Sequence, residues 1–148
     1  MLKVSFIGAS NIAYRYTLAM LEKGIAVSRI YNRSAQHRDS LVKALRDNGS
    51  DAKAAENLED LMDSDIVFIA VNDDAIKTVV GNIEETLKRF ADSPANSEST
   101  SGNQPDANGH YIPGGQLNKL PVFIHTSGAT DINVFAPLEA LGCKYGVL

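Results

Sequence analysis

The six residues Gly8, Ala9, Ser10, Asn11, Ile12 and Ala13 follow an apolar, β-branched run from Val4 and open a helical stripe of Ala13, Thr17, Met20 and Leu21. A strand that turns this tightly into a helix aims the helix's first N–H groups at the space beyond the strand, a setting that favours an anion. Gly8, Ser10 and Ala13 hold the three positions of the G-x-G-x-x-G/A pattern. Those positions need, in order, a tight turn, close backbone approach to a pyrophosphate, and close packing of helix on strand. Ser10 departs from the usual glycine. Its side chain either crowds a pyrophosphate or donates it a hydrogen bond worth about 0.5 to 1.5 kcal/mol. A plain strand-to-helix turn without a dinucleotide is the competing reading.

Three further groups fall where such a ligand would extend. Asn32 ends the second apolar run, at the position where an NAD-selective fold carries Asp or Glu for the ribose hydroxyls. An uncharged Asn followed by Arg33 and Ser34 removes the carboxylate that would repel a 2′-phosphate, and adds a guanidinium and a hydroxyl able to bind one. This points to NADP over NAD; the alternative is a solvated arginine beside a helix cap, with Arg38 a helper or a bystander. Val71, Asn72 and Asp73 follow the most apolar run and should line the crevice near the cofactor's middle. Asp73 or Asp74 is a candidate acid or base, although capping of the next helix explains at least one of them more simply. His125, Thr126, Ser127 and Gly128 leave a later strand at the same end, where small and hydroxyl residues would let a nicotinamide approach the backbone. His125 is either a general acid or a satisfied structural histidine. No cysteine-based metal site is possible with Cys143 as the one cysteine, and no metal is expected.

The elements that must position these groups alternate. Strands are predicted over Val4 to Gly8, Ile25 to Tyr31, weakly over Asp51 to Glu56, over Asp65 to Val71, Pro121 to His125 and Cys143 to Leu148. Gly24 should cap the first helix, and Ser34 should cap a second with Leu41, Val42 and Leu45 on one face, stopped by Gly49. Asn57 should cap a single turn through Leu61 and Met62. A long amphipathic helix repeats Ile76, Val79, Val80, Ile83, Leu87 and Phe90, and a short one begins at Pro137. The nearly unbroken apolar run Asp65 to Val71 belongs at the centre of a parallel sheet covered on both faces. The fold class is therefore α/β, a doubly wound, mainly parallel sheet of about six strands with ligands at the strands' carboxyl ends. Residues 92–118, rich in Ser, Asn, Gly and Pro and without Lys or Arg, are expected to be a mobile surface insertion; a lid is the alternative.

With 148 residues, 44% hydrophobic and 22% charged, the chain suits one domain that buries roughly 68 to 70% of its unfolded surface. A net charge of -4 provides no basic field, so neither nucleic acid nor an anionic membrane is an expected partner. The start MLKVSFIG lacks the features of a signal peptide, and a cytoplasmic location is expected.

Together VSFIGASNIA, IYNRS, DIVFIAVNDDAI and HTSGA resemble the amino-terminal domain of a family of Rossmann-like NADP-dependent oxidoreductases that carry an added helical carboxyl-terminal domain. Their relatives are pyrroline-5-carboxylate reductase, the 6-phosphogluconate and 3-hydroxyisobutyrate dehydrogenases, and the deazaflavin-dependent NADP reductases. The resemblance implies pyrophosphate at Gly8 to Ala13, the adenosine ribose at Asn32 to Ser34, and nicotinamide near Val71 to Asp73 and His125 to Gly128. It also implies a substrate pocket shared with a second, helical domain, often across a homodimer, and nothing in these residues corresponds to that domain. The function expected is therefore the NADP-binding domain of an oxidoreductase, with hydride passing between NADPH and a small imine or carbonyl once a second domain is present. The rival is a non-catalytic NAD(P)-binding sensor or interaction module. An S-adenosylmethionine methyltransferase is weakened because its ribose-binding carboxylate is missing at Asn32.

Overall fold

The computed structural model describes residues 1–91 and 119–148. The expected insertion at 92–118 lies outside the described residues.

Six strands, all parallel, form one sheet: β1 (Val4–Ile7), β2 (Val27–Tyr31), β3 (Lys53–Ala54), β4 (Ile66–Ile69), β5 (Val122–His125) and β6 (Tyr145–Val147). Their order across the sheet is β3-β2-β1-β4-β5-β6. The chain thus runs outward from β1 to one edge, returns to β4 on the other side of β1, and continues to the opposite edge. The crevice at that reversal, between the carboxyl ends of β1 and β4, is the place where doubly wound sheets bind ligands.

The period of two along each strand sorts side chains onto two faces. On one face Val4, Phe6 and Phe68 pack with Ala13 of α1 (Asn11–Glu22) and with Leu41, Val42 and Leu45 of α2 (Ala35–Asp47). On the other, Ile7, Val67, Ile69 and Phe123 pack with Ile76, Val80, Ile83 and Leu87 of α3 (Asp73–Ala91) and with Leu138 of α4 (Ala136–Glu139). Both faces are covered, which is why β4 reads as a continuous apolar run.

Most terminators act as their chemistry requires. Ser34 caps α2 by accepting from the His37 amide at 3.4 Å. Asn57 and Asp60 form a reciprocal capping box around a 3-10 turn, Leu58–Leu61. Two expectations shift. The edge strand contracts from Asp51–Glu56 to Lys53–Ala54, because β2 is its single neighbour and supports only two paired residues. Asp73 and Asp74 do not precede α3 but occupy its first turn, where their charge complements the helix dipole.

Candidate functional site

The carboxyl end of β1 is fixed by the approach of two backbones. Gly8 has φ +108, and a Cβ there would overlap the Ala70 carbonyl oxygen. Its amide donates to the Tyr31 carbonyl at 2.7 Å, so this one residue joins the ends of β1, β2 and β4. Glycine is required both by conformation and by space.

Ser10 is the N-cap of α1. Its hydroxyl donates to the Ala70 carbonyl at 2.8 Å and accepts from the Ala13 amide at 3.3 Å. The first bond ties the side chain to the end of β4, and the second caps the helix. The amides of Asn11 and Ile12 open the helix without a protein acceptor among the described residues, as the first turn of a helix must leave them. Ala13 is fully buried against the sheet, the close packing expected of the pattern's third position.

Asn32 links this turn to the next. Its Oδ1 accepts from the Ala9 amide at 3.2 Å and its Nδ2 donates to the Ser34 carbonyl at 3.1 Å. The amide is thereby oriented, and the β2–α2 junction is pinned to the β1–α1 turn. Arg33, between them, is exposed and has no acidic partner among the described residues. Arg38 differs: it is buried, bonded to the Ala55 carbonyl and paired with Asp39 at 2.9 Å and Glu56 at 3.3 Å, which raise its pKa. It belongs to the scaffold and is no helper to Arg33.

These groups rim a trench at the reversal point. Its larger part, about 620 Å³, runs from Ile7 and Gly8 past Tyr31, Asn32 and Arg33 to Val71, Asn72 and one face of α3. A smaller recess, about 270 Å³, is lined by Ala9 and Ser10 and also by Arg33 and His37. The α3 wall consists of Asp74, Ala75, Thr78, Val79 and Asn82. Thr78, Asn82 and His37 were not singled out from sequence. The signal for the first two lay in the helical spacing of Ala75, Thr78, Val79 and Asn82, a stripe beside the apolar one.

The β5 end is arranged differently. His125 is fully buried and stacked on Phe135, with ring centroids 5.4 Å apart. Its Nδ1 accepts from the Ser127 amide at 3.2 Å, which places the proton on Nε2, an atom with no hydrogen-bond partner among the described residues. Burial pushes the imidazole below the ordinary histidine range, with the Asp73 carboxylate opposing it. The Ser127 hydroxyl accepts from the amides of Ala129 and Thr130, both at 3.2 Å, and so organises its own loop. Thr126 is half-buried and its amide donates to the Ile69 carbonyl at 3.3 Å, while Gly128 is exposed. Neither His125 nor Thr126, Ser127 and Gly128 line the two recesses. The buried Cys143 thiol, raised to about 11, is not a nucleophile at neutral pH. Among the described residues no group of three or more His, Cys, Asp or Glu is placed to hold a metal ion, and no helix is long and apolar enough to cross a membrane.

The sequence profile of shikimate / quinate 5-dehydrogenase matches residues 1–95, the span that carries the glycine turn, the Asn32–Ser34 junction and the β4–α3 wall. The chain belongs to the shikimate / quinate 5-dehydrogenase family. No curated protein matches it in sequence. Among solved structures, a Bacteroides fragilis protein described as an NADP oxidoreductase superposes with a TM-score of 0.63 at 18% identity, over 98% of this chain and 42% of its own. A shikimate 5-dehydrogenase from Mycobacterium fortuitum gives 0.60 at 14% identity, over 97% and 43%. A lactate dehydrogenase from Eimeria maxima, crystallised with NADH and oxamate, gives 0.59 at 15% identity, over 99% and 43%. The chain therefore spans less than half of each of these structures, and the likeness to them is one of fold. The dehydrogenase family membership agrees with the Rossmann-like reading of the sequence, including its link to NADP oxidoreductases.

Proposed function

We propose that this chain is the dinucleotide-binding domain of an NADP-dependent oxidoreductase that acts on a small carbonyl or imine once a second domain completes the site. The observation that carries the choice of NADP is Arg33: an exposed guanidinium with no acidic partner among the described residues, at the end of β2, beside an asparagine where an NAD-selective site needs a carboxylate. The fit to the rest of a dinucleotide rests on the Gly8 turn, whose backbone lines the trench in a close approach to Ala70 that leaves no room for a side chain, and on the Asn11 and Ile12 amides, which have no protein acceptor among the described residues.

In this reading Asn11 and Ile12 hold the pyrophosphate, and Arg33 and Ser34 the 2′-phosphate. Tyr31, Thr78 and Asn82 flank the adenosine, and Val71, Asn72 and Asp73 lead toward the nicotinamide. NADPH, when bound, supplies the hydride that reduces the substrate's carbonyl or imine carbon. The family name favours the carbonyl, since shikimate and quinate dehydrogenation interconverts an alcohol and a ketone. A homodimer built through a helical second domain, and a cytoplasmic location, complete the proposal.

The enclosure of His125 favours a second reading, a non-catalytic NAD(P)-binding sensor, because the one histidine at the β5 end presents no free nitrogen to the trench. Fluorescence titration tests both. NADPH emission should change on binding, and Arg33→Ala should weaken NADPH about tenfold while leaving NADH within twofold. Unchanged emission on adding the protein would end both readings; equal affinity for NADH and NADPH would end the assignment of Arg33 alone. If NADPH binds, substrate-dependent oxidation of NADPH by the protein carrying any further domain separates enzyme from sensor.

A further inference from the structure

The two edges of the sheet are finished differently. Beside β3 both flanking carbonyls are taken by side chains: Arg46 donates to Ala52 at 2.9 Å and Arg38 to Ala55 at 3.1 Å. At the other edge β6 pairs with β5 alone. The Phe123 amide donates to the Lys144 carbonyl at 2.9 Å, and the Leu148 amide to the His125 carbonyl at 3.0 Å. Backbone groups alternate sides along a strand, so Gly146 also faces β5, while the N–H and C=O of Tyr145 and Val147 face outward. Among the described residues nothing bonds those four groups. β6 has neither a proline nor a bulge, and the one charge beside it is Lys144. On the face shared by Tyr145 and Val147, Phe135 stacks on Tyr145 with centroids 5.2 Å apart, and Ile132, which begins the same 3-10 turn, is exposed, as is Val147.

We propose that this edge is a self-association surface, occupied by the β6 edge of a second copy of the chain running antiparallel about a two-fold axis at Gly146. An antiparallel pair needs outward N–H and C=O groups on alternate residues of both strands. An axis at Gly146 sets Tyr145 of each copy against Val147 of the other and closes all four outward groups into hydrogen bonds across the seam. Each of these pairs joins an aromatic to a β-branched residue, a favourable cross-strand combination. Gly146 meets its own symmetry mate in the close, non-hydrogen-bonded position, and nothing in the chain lies within 4 Å of a Cβ there. Lys144 falls opposite Leu148, not opposite another lysine, so no like charges are set against each other. The β3 edge is a poorer mate, with two paired residues and its flanking carbonyls already bonded. A seam this short makes a weak, reversible dimer. It requires no second domain and is independent of the dinucleotide reading.

The test is sedimentation equilibrium of the whole chain from about 5 to about 500 µM, with wild type, Val147→Pro and Gly146→Thr compared. Wild type should pass reversibly from monomer to dimer across that range. Val147→Pro removes an N–H that points away from β5, so the fold keeps its own ladder while the seam loses two of its bonds, and dimerisation should weaken about tenfold or more. Gly146→Thr is the opposite arm: it places two β-branched side chains against each other at the axis and should tighten the dimer about two- to fivefold. Far-UV circular dichroism at the dilute end confirms that each variant is folded, and Gly146→Thr decides the matter by itself if the proline variant is not. A wild type that stays monomeric throughout overturns the proposal. So does a dimer that neither substitution changes, because its contact then lies elsewhere on the surface.

Discussion

The Ser10 hydroxyl donates to the Ala70 carbonyl at 2.8 Å, across the point where the sheet reverses its winding. The side chain that replaces the pattern's middle glycine is therefore tied to the end of β4, and its other bond, from Ala13, caps the helix. Ser10→Gly should remove both bonds and lower stability by about 1 kcal/mol, most of it the lost hydrogen bond, since glycine is itself a tolerable N-cap. Dinucleotide affinity should stay within about threefold. Urea denaturation and NADPH titration of the same variant check the two halves; a tenfold gain in affinity would show instead that the serine crowds the phosphate.

Asn32 leads to a different kind of prediction, because its amide uses both ends, accepting from Ala9 and donating to Ser34. Asn32→Asp keeps the acceptor, loses the donor and places a negative charge next to Arg33. NADPH should weaken by about tenfold through repulsion of the 2′-phosphate, and NADH should hold or improve as the carboxylate accepts from the ribose. The ratio of the two dissociation constants, measured side by side, should move toward NADH; an unchanged ratio would place the 2′ position away from Asn32.

The alternation of strands and helices could be read directly, since β4 and the α3 stripe of Ile76, Val80, Ile83 and Leu87 carry unmistakable periods. Gly8 was equally legible, as a glycine before a helix. What could not be read are relations across long stretches of chain. The orientation of Ser10 is decided by Ala70, sixty residues on. The enclosure of His125 depends on Phe135, itself stacked on Tyr145 at 5.2 Å, in elements whose packing no local pattern announces. The trench wall of Thr78 and Asn82 was hidden because an apolar stripe draws attention to the buried face of a helix and away from the face beside it.

Gly8 should tolerate no side chain. At φ +108 an L-residue is strained, and its Cβ would meet the Ala70 carbonyl, a backbone atom held by the sheet. Gly8→Ala should destabilise the fold by about 3 kcal/mol or more, lowering the melting temperature by roughly 6 to 12 °C. Gly128→Ala is the control: nothing lies within 4 Å of a Cβ at that position, so its melting temperature should match wild type. Equal melting temperatures for both variants would contradict the close approach of β1 and β4.

Stability should also fall in mild acid, through His125. Its Nδ1 accepts from the Ser127 amide, and protonation there would set two donors against each other inside a site with no exposure. Burial has already pushed the imidazole's pKa below its ordinary 6.5. A histidine whose pKa is lower folded than unfolded binds its proton more readily once unfolded. Its contribution is therefore complete above about pH 6.5 and is lost as pH falls below that value toward the folded pKa, with a slope of up to about 1.4 kcal/mol per pH unit. Asp65, held below the usual carboxylate range by Lys119 and the Lys3 amide, acts in the same direction but in a lower window, below its ordinary 3.8. His125→Asn separates them, because the asparagine Oδ1 can take the Ser127 amide without titrating. That variant should be less stable than wild type at pH 7.5, having lost the stack on Phe135, yet should show no decline between pH 7 and 5 where wild type does. Denaturant midpoints across that range decide it, and a parallel decline in both proteins would assign the acid sensitivity to another group.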